Sequence, residues 1–394
     1  MPNMSITSSH GTRFRQVHTP SPGVRSLLLT LLLVALTGCE ALDYRPFAVG
    51  REGEVVVVID STRWEGPVGD AVRRNIAPYL GTLPAPEREF NVRRVSLTSQ
   101  RFLDAVQAQK NVIFVSPISD DTPEARFMRA RLDSSSVEAV LAGQSAVIPR
   151  RDLWRQQQQV VYVVAGSDEE LIRVLDERGE DIRYQFNTIT RERLTEDMFE
   201  KGRQFAMEDS LLANHGFTLN MQHDYFVAID TTNFIWLRRV VSSESWRSLF
   251  VYYVDDFDPT NLTPEWIQQA RDRLTETYIR GTMDGFVTTD YRRELTSENI
   301  DFKGRFAYET RGLWHMMGRQ PDGSLVEHGM GGAFVNYTFY DEESGRLYMI
   351  DGMIFAPGFD KREFLRQMEV IAWTFRTEDD VQQAATRDAV SASF

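Results

Sequence analysis

Arg311 and Trp314 lie three residues apart in Tyr308-Glu309-Thr310-Arg311-Gly312-Leu313-Trp314, and the richest glycine cluster, Gly329-Met330-Gly331-Gly332, opens the next apolar run. An arginine fork can grip an anion, an indole can stack on a ligand, and glycines let a ligand approach the backbone. Arg311, Trp314, Gly331 and Gly332 therefore form a candidate ligand rim, and an enzyme built on them would use Glu309 or Asp351 as its carboxylate. A phosphate-cradling glycine loop, however, sits between a strand and a helix. Here a strand follows, so a bend at the start of that strand is the preferred reading of the glycines.

The remaining polar clusters are weaker. Asp255-Asp256-Phe257-Asp258 could offer oxygens to a hard cation but lacks the spacing and glycine of a calcium loop, so a solvated turn is expected. His215, His223, His315 and His328 show no helical zinc pair; His315 and His328 flank one loop without a third ligand. Gly143-Gln144-Ser145-Ala146-Val147 lacks the closing glycine of a nucleophile elbow. Asp60-Ser61-Thr62 falls between a strand and a helix, where α/β units bind anions, yet helix capping accounts for it. No acid, base and nucleophile set assembles from these residues, so no catalytic residue, metal ligand or cofactor is assigned.

The address is clearer than the chemistry. Residues 1–26 carry Arg13, Arg15 and Arg25 and no acid, and residues 27–36 form an apolar run of signal-peptide length, about 7 to 15 residues, too short to span a bilayer. Leu36-Thr37-Gly38-Cys39 follows and resembles the lipobox of bacterial lipoproteins. That resemblance implies cleavage after Gly38 and acylation of Cys39, and two or more acyl chains hold a protein stably at a membrane. Cys39 is the only cysteine, so once acylated it leaves no thiol for disulfide, nucleophile or metal. Loss of residues 1–38 removes three arginines and no acid, taking the net charge from −13 to −16. Such a chain has no electrostatic footprint for nucleic acid. No acidic run follows Cys39, unlike the surface-exposed lipoproteins of Bacteroidetes-type bacteria. The expectation is thus a cell-envelope protein, lipid-anchored at the outer membrane and facing the periplasm.

Periodicity divides the chain into a signal peptide (1–38), a tether (39–52), an N-terminal α/β domain (53–215), a C-terminal antiparallel α+β domain (216–376) and a polar tail (377–394). At 42% hydrophobic, both domains can bury proper cores. In the first, apolar runs at 54–60, 90–95, 111–115 and 160–164 read as strands, separated by helices near 65–80 and 99–109. A long helix follows from Ser167 to about Leu212, with a break expected at Gly179. The second has short strands between 217 and 254, a helix over 263–279, strands over 304–314, 332–341 and 346–356, and an amphipathic helix over 361–375. The fold class expected is α+β: a layered α/β unit followed by an antiparallel sheet flanked by helices.

Several separated motifs carry a family resemblance. Trp64-Glu65-Gly66-Pro67-Val68-Gly69-Asp70, the Tyr308 to Trp314 segment, Met330-Gly331-Gly332-Ala333-Phe334, and Ala356-Pro357-Gly358-Phe359-Asp360-Lys361-Arg362 with Leu365-Arg366-Gln367-Met368-Glu369 resemble the lipoproteins grouped as domain of unknown function 4837. The likeness spans essentially the whole processed chain, and it implies a lipidated envelope protein with no assigned reaction. The strand-rich second half is also similar to PsbP-like antiparallel sandwiches, in fold only. Two functions follow: a non-catalytic binding or scaffold module presenting a groove to an envelope protein, glycan or small ligand, or an envelope enzyme with its site around Arg311, Trp314 and Gly331. The first is preferred. The second requires a pocket joining Arg311 to two carboxylates of perturbed protonation.

Overall fold

Val55, Val56, Val57 and Val58 are all sealed from solvent, as a continuous apolar run requires of a strand covered on both faces. The computed structural model describes residues 44–391 apart from Ser145, Ser243, Glu244 and Met283. The expected signal segment, Gly38, Cys39 and the start of the tether lie outside the described residues.

The first half runs β1 (Glu54–Val58), α1 (Ser61–Trp64), α2 (Pro67–Ile76), β2 (Asn91–Val95), α3 (Gln100–Gln107), β3 (Asn111–Pro117), α4 (Pro123–Arg129), α5 (Ser134–Leu141), β4 (Ala146–Arg151), β5 (Gln159–Ala165) and α6 (Asp168–Glu200). Its sheet has the order β2-β1-β3-β5-β4; the first four strands are parallel and β4 is antiparallel to β5. Val55, Val57 and Ile59 pack under α2 and α6, while Val56 and Val58 pack under α3, α4 and α5. Each such buried side chain contributes about 1.5–3 kcal/mol. Helices cover both faces, so this is the layered α/β unit that alternating strands and helices dictate.

The second half comprises α7 (Phe205–His215), β6 (Phe217–Thr218), β7 (Phe226–Asp230), β8 (Phe234–Ser242), β9 (Ser245–Val254), α8 (Pro264–Tyr278), β10 (Gly285–Thr289), β11 (Thr296–Phe302), β12 (Arg305–Arg319), β13 (Leu325–Asp341), β14 (Arg346–Phe355), α9 (Arg362–Trp373), β15 (Arg376–Thr377) and α10 (Glu378–Ser391). An antiparallel sheet of order β10-β12-β13-β14-β9-β8-β7, with β11 also on β12, carries α8 on one face and α7 and α9 on the other. The chain is therefore α+β. The polar stretch after Arg376 is the helix α10, tied down where β15 pairs with β6 and where Asp380 meets Arg305 at 3.0 Å.

Three departures from the expected elements have physical causes. The helix expected near 65–80 is the shorter α2, which begins at Pro67 and ends at Ile76, and the unexpected single turn α1 precedes it, parted from it at Glu65-Gly66. β11 was hidden by its half-exposed, polar composition, and β10 by its brevity, with only Phe286 and Val287 as large apolar residues. Finally, α6 runs unbroken through Gly179, because the missing side chain admits α2: a Cβ there would stand 2.7 Å from the Cβ of Asn75. The break falls instead at Gly202, whose φ is +126°.

The same helix joins the halves. Its early turns bury Leu171, Leu175 and Phe186 in the first core, and its last turns place Met198 in the second. Residues from Phe47 onward cluster as one compact unit.

Candidate functional site

The four rim residues do not converge. Arg311 and Trp314 are an odd number of positions apart on β12 and so leave opposite faces of the sheet. Trp314 is 1% exposed, stacks on Trp246 at 5.3 Å and donates its Nε1–H to the Ile354 carbonyl at 3.2 Å. Gly331 and Gly332 pair with His315 and Trp314, and a Cβ on Gly332 would meet the Ile354 oxygen at 1.9 Å. These glycines make room for packing between strands. The expected bend is a register shift between His315 and Met317, inside strands longer than anticipated.

Arg311 spends its fork internally, donating to Glu309 Oε1 at 2.6 Å and to Glu369 Oε1 of α9 at 2.8 Å. Burial opposes its charge, but Glu309 and Glu369 outweigh that and hold its pKa well above the ordinary value. Burial likewise pushes Glu369 up, and Arg311 and Arg191 outweigh it, leaving Glu369 below the usual range. Two carboxylates do meet Arg311, but Glu369 is held ionised, which makes an ion pair rather than an acid–base couple.

Asp351, the other carboxylate considered, is sealed inside the layer between α8 and the sheet. It accepts from Arg271 Nε at 2.8 Å and Asn336 Nδ2 at 3.0 Å, and Arg271 Nη1 also donates to Thr289 Oγ1 at 3.0 Å. Burial raises the Asp351 pKa against the pull of Arg271. Every strong partner here is another buried side chain, so the network organises the core.

Asp60 caps α1, accepting the Arg63 N–H at 3.0 Å. Its carboxylate then joins Asp120, from the loop after β3, and Asp168, after β5, around the Arg63 guanidinium at 2.9, 2.7 and 2.5 Å. Burial lowers the Arg63 pKa, but the hydrogen bonds it donates to Asp168, Asp60 and Asp120 raise it overall. Three parallel-strand ends thus close over one cation at the switch point where α/β sheets commonly bind ligands.

The other sequence candidates disperse. Asp255 pairs with Arg346 at 2.6 Å and Asp258 caps a short 3-10 turn. His215 meets Asp230 at 2.9 Å, and His315 meets Glu327 at 3.3 Å. Ser145 lies outside the described residues. No group of three His, Cys, Asp or Glu side chains among the described residues is placed to hold a metal ion.

One buried charge stands apart. Arg247 of β9 is 9% exposed, yet its guanidinium forms no hydrogen bond or ion pair with any described residue; its partner is the Phe364 ring, 4.2 Å away. Burial, and then the neighbouring charge of Arg239, lowers its pKa. It faces a cavity of about 520 Å³ between the end of α6, the loop at 222–224, β8 and α9. Arg239, on the same lining, is already engaged by Asp224 at 2.7 Å and Gln222 at 3.3 Å. A second cavity of about 590 Å³ lies between β2 and α3, but there Arg93 pairs with Glu54 and Arg94 with Ser96, both at 2.9 Å. The first cavity alone of these two presents an unanswered buried cation. Sequence reasoning passed over Arg247, although it stands in phase with Leu249, Val251 and Tyr253 on an inward face.

No helix among the described residues is long and apolar enough to cross a membrane. The family model described as "Domain of unknown function (DUF4837)" matches residues 204–374, and that described as "Domain of unknown function (DUF8532)" matches residues 48–199. The Trp64 to Asp70 motif therefore falls in the second match, and the first covers the antiparallel half rather than the whole processed chain. No curated protein matches the chain. Similar solved structures include the Ran-binding protein Mog1p of Saccharomyces cerevisiae, at 10% identity and TM-score 0.28 over 41% of this chain and 90% of that one. LpqN of Mycobacterium tuberculosis, described as involved in cell envelope biogenesis, is similar at 11% identity and TM-score 0.24 over 40% and 81%. Likenesses at that level carry no functional argument.

Proposed function

We propose that this protein, a member of the DUF4837 family through residues 204–374, is a non-catalytic binding module of the cell envelope that holds an anionic ligand beside Arg247. Arg247 carries the reading. Its guanidinium opens onto the cavity with donors that no protein acceptor uses, and an anion seated there would gain charge-assisted hydrogen bonds. The surrounding cleft is the groove that a binding module needs, about the size of a small-molecule site.

In this reading Cys39 supplies the anchor and fixes the module at the outer membrane on its periplasmic side, with an envelope protein, glycan or small ligand as its partner. Support comes from the residues themselves: a basic, acid-free leader, a short apolar run and Leu36-Thr37-Gly38-Cys39.

The test uses the full chain in thermal-shift measurements with propionate and inorganic phosphate at fixed ionic strength. Wild type gains stability with ligand concentration, as binding to the native state requires, and Arg247→Met does not respond. An identical response from both proteins sinks the proposal. Mass spectrometry of the native amino-terminal peptide checks the anchor: Cys39 carries acyl chains, or that part of the reading fails.

A further inference from the structure

We infer that the ligand of the Arg247 cleft is a hydroxylated acid, a sugar carboxylate or sugar phosphate; this rests on the anion-binding reading above. The cleft is not uniformly positive. Lys201, at the end of α6, adds a second cation, but Asp197 one turn earlier and Asp224 across the cleft add acids. The Asp197 and Lys201 side chains form no hydrogen bond or ion pair with a described residue, and the Asp224 carboxylate spends only Oδ2, on Arg239.

That mixture selects among anions. A bare anion placed beside Arg247 gains from the guanidinium and loses to two nearby carboxylates. A neutral sugar gives those carboxylates hydroxyl donors but leaves Arg247 unanswered. A fatty acid satisfies Arg247 while laying its chain against charged walls. Of these, only a ligand carrying both an acidic group and several hydroxyls answers all four charges: the acid takes Arg247 and Lys201, and the hydroxyls donate to Asp197 and Asp224. Gln367 of α9, which also has no partner among the described residues, can donate and accept, as a hydroxyl requires. Met198 offers an apolar strip for the C–H face of a sugar ring, and a cavity of about 520 Å³ admits one or two such rings.

Isothermal calorimetry on the full chain compares D-glucuronate and glucose 6-phosphate with propionate, inorganic phosphate and glucose at one ionic strength. At least one hydroxylated acid binds about tenfold or more tighter than the simple anion of its type, the difference expected of added hydrogen bonds to charged groups. Which of the two binds tells the carboxylate from the phosphate source. Arg247→Met abolishes binding of both acids, and Asp197→Asn weakens the hydroxylated acid about tenfold while leaving or improving the simple anion. Circular dichroism confirms that each variant is folded. If the hydroxylated acids bind no tighter than propionate and phosphate, this inference is overturned while the anion site stands. If no anion binds folded wild type, both fall together.

Discussion

Glu87, in the loop that precedes β2, accepts the backbone N–H of Lys361 at 2.8 Å and of Arg362 at 2.9 Å. The first turn of α9 is thereby capped from the other half of the molecule, by a carboxylate placed where the helix dipole favours one. Arg366 fastens the same contact, donating to the Glu89 carbonyl at 2.8 Å. Glu87→Ala is expected to lower stability by about 1–2 kcal/mol in urea unfolding, the usual cost of a lost cap. An unchanged midpoint would mean that water replaces the cap at no cost.

The Arg271 and Asp351 pair makes a sharper prediction. Asp351→Asn leaves a buried guanidinium without its counter-charge, which costs about 3–5 kcal/mol, whereas Arg271→Met with Asp351→Leu removes both charges and should cost less, about 1–3 kcal/mol for the orphaned Asn336 amide. Denaturant unfolding of the three proteins distinguishes them. Comparable losses in the single and double variants would show that shape, rather than charge, holds this layer.

Gly179→Ala tests which of two opposed effects wins. In an open helix the change stabilises by about 1 kcal/mol, but here the new Cβ would press on the Asn75 side chain, and overpacking costs about 1–3 kcal/mol. The expected outcome is a lower melting temperature. A higher one would mean that α2 slides away freely.

Asp133 supplies the pH test. It caps α5, taking the Ser135 hydroxyl at 2.6 Å and the Ser136 N–H at 2.8 Å, and these bonds pull its pKa down to about 2. Since the folded value is depressed, the cap contributes fully above the unfolded carboxyl's pKa and is lost as pH falls through about 2. The Ser136 amide resonance should titrate with that low midpoint, and Asp133→Asn should abolish the titration. A midpoint near 4, the ordinary carboxyl value, would contradict the capping geometry.

Much of this architecture was legible because its strands are long apolar runs. The 54–60 segment could only be a strand buried on both faces, and Phe364, Met368 and Ile371 marked α9 as amphipathic. β11, with the sequence TSENIDF, carried no such pattern, since only Phe302 is buried and Ile300 packs on the core half-exposed. The site was less readable still. Whether an arginine is paired depends largely on residues distant in sequence: Arg63 gathers Asp120 and Asp168 besides its neighbour Asp60, while the Arg247 guanidinium pairs with no acid. Sequence alone made Arg311 the attractive cation, and its partner Glu369 lies 58 positions away.

α6 is about 50 Å long at the usual helical rise, and the two family matches meet just beyond its end. Its final turns are encoded within the match over 48–199 but bury Met198 among side chains of the match over 204–374. A fragment cut at the family boundary would therefore lose part of its own lining and bare an oily stripe to water. The two sequence families share a single structural beam, and heat should melt them in one concerted step.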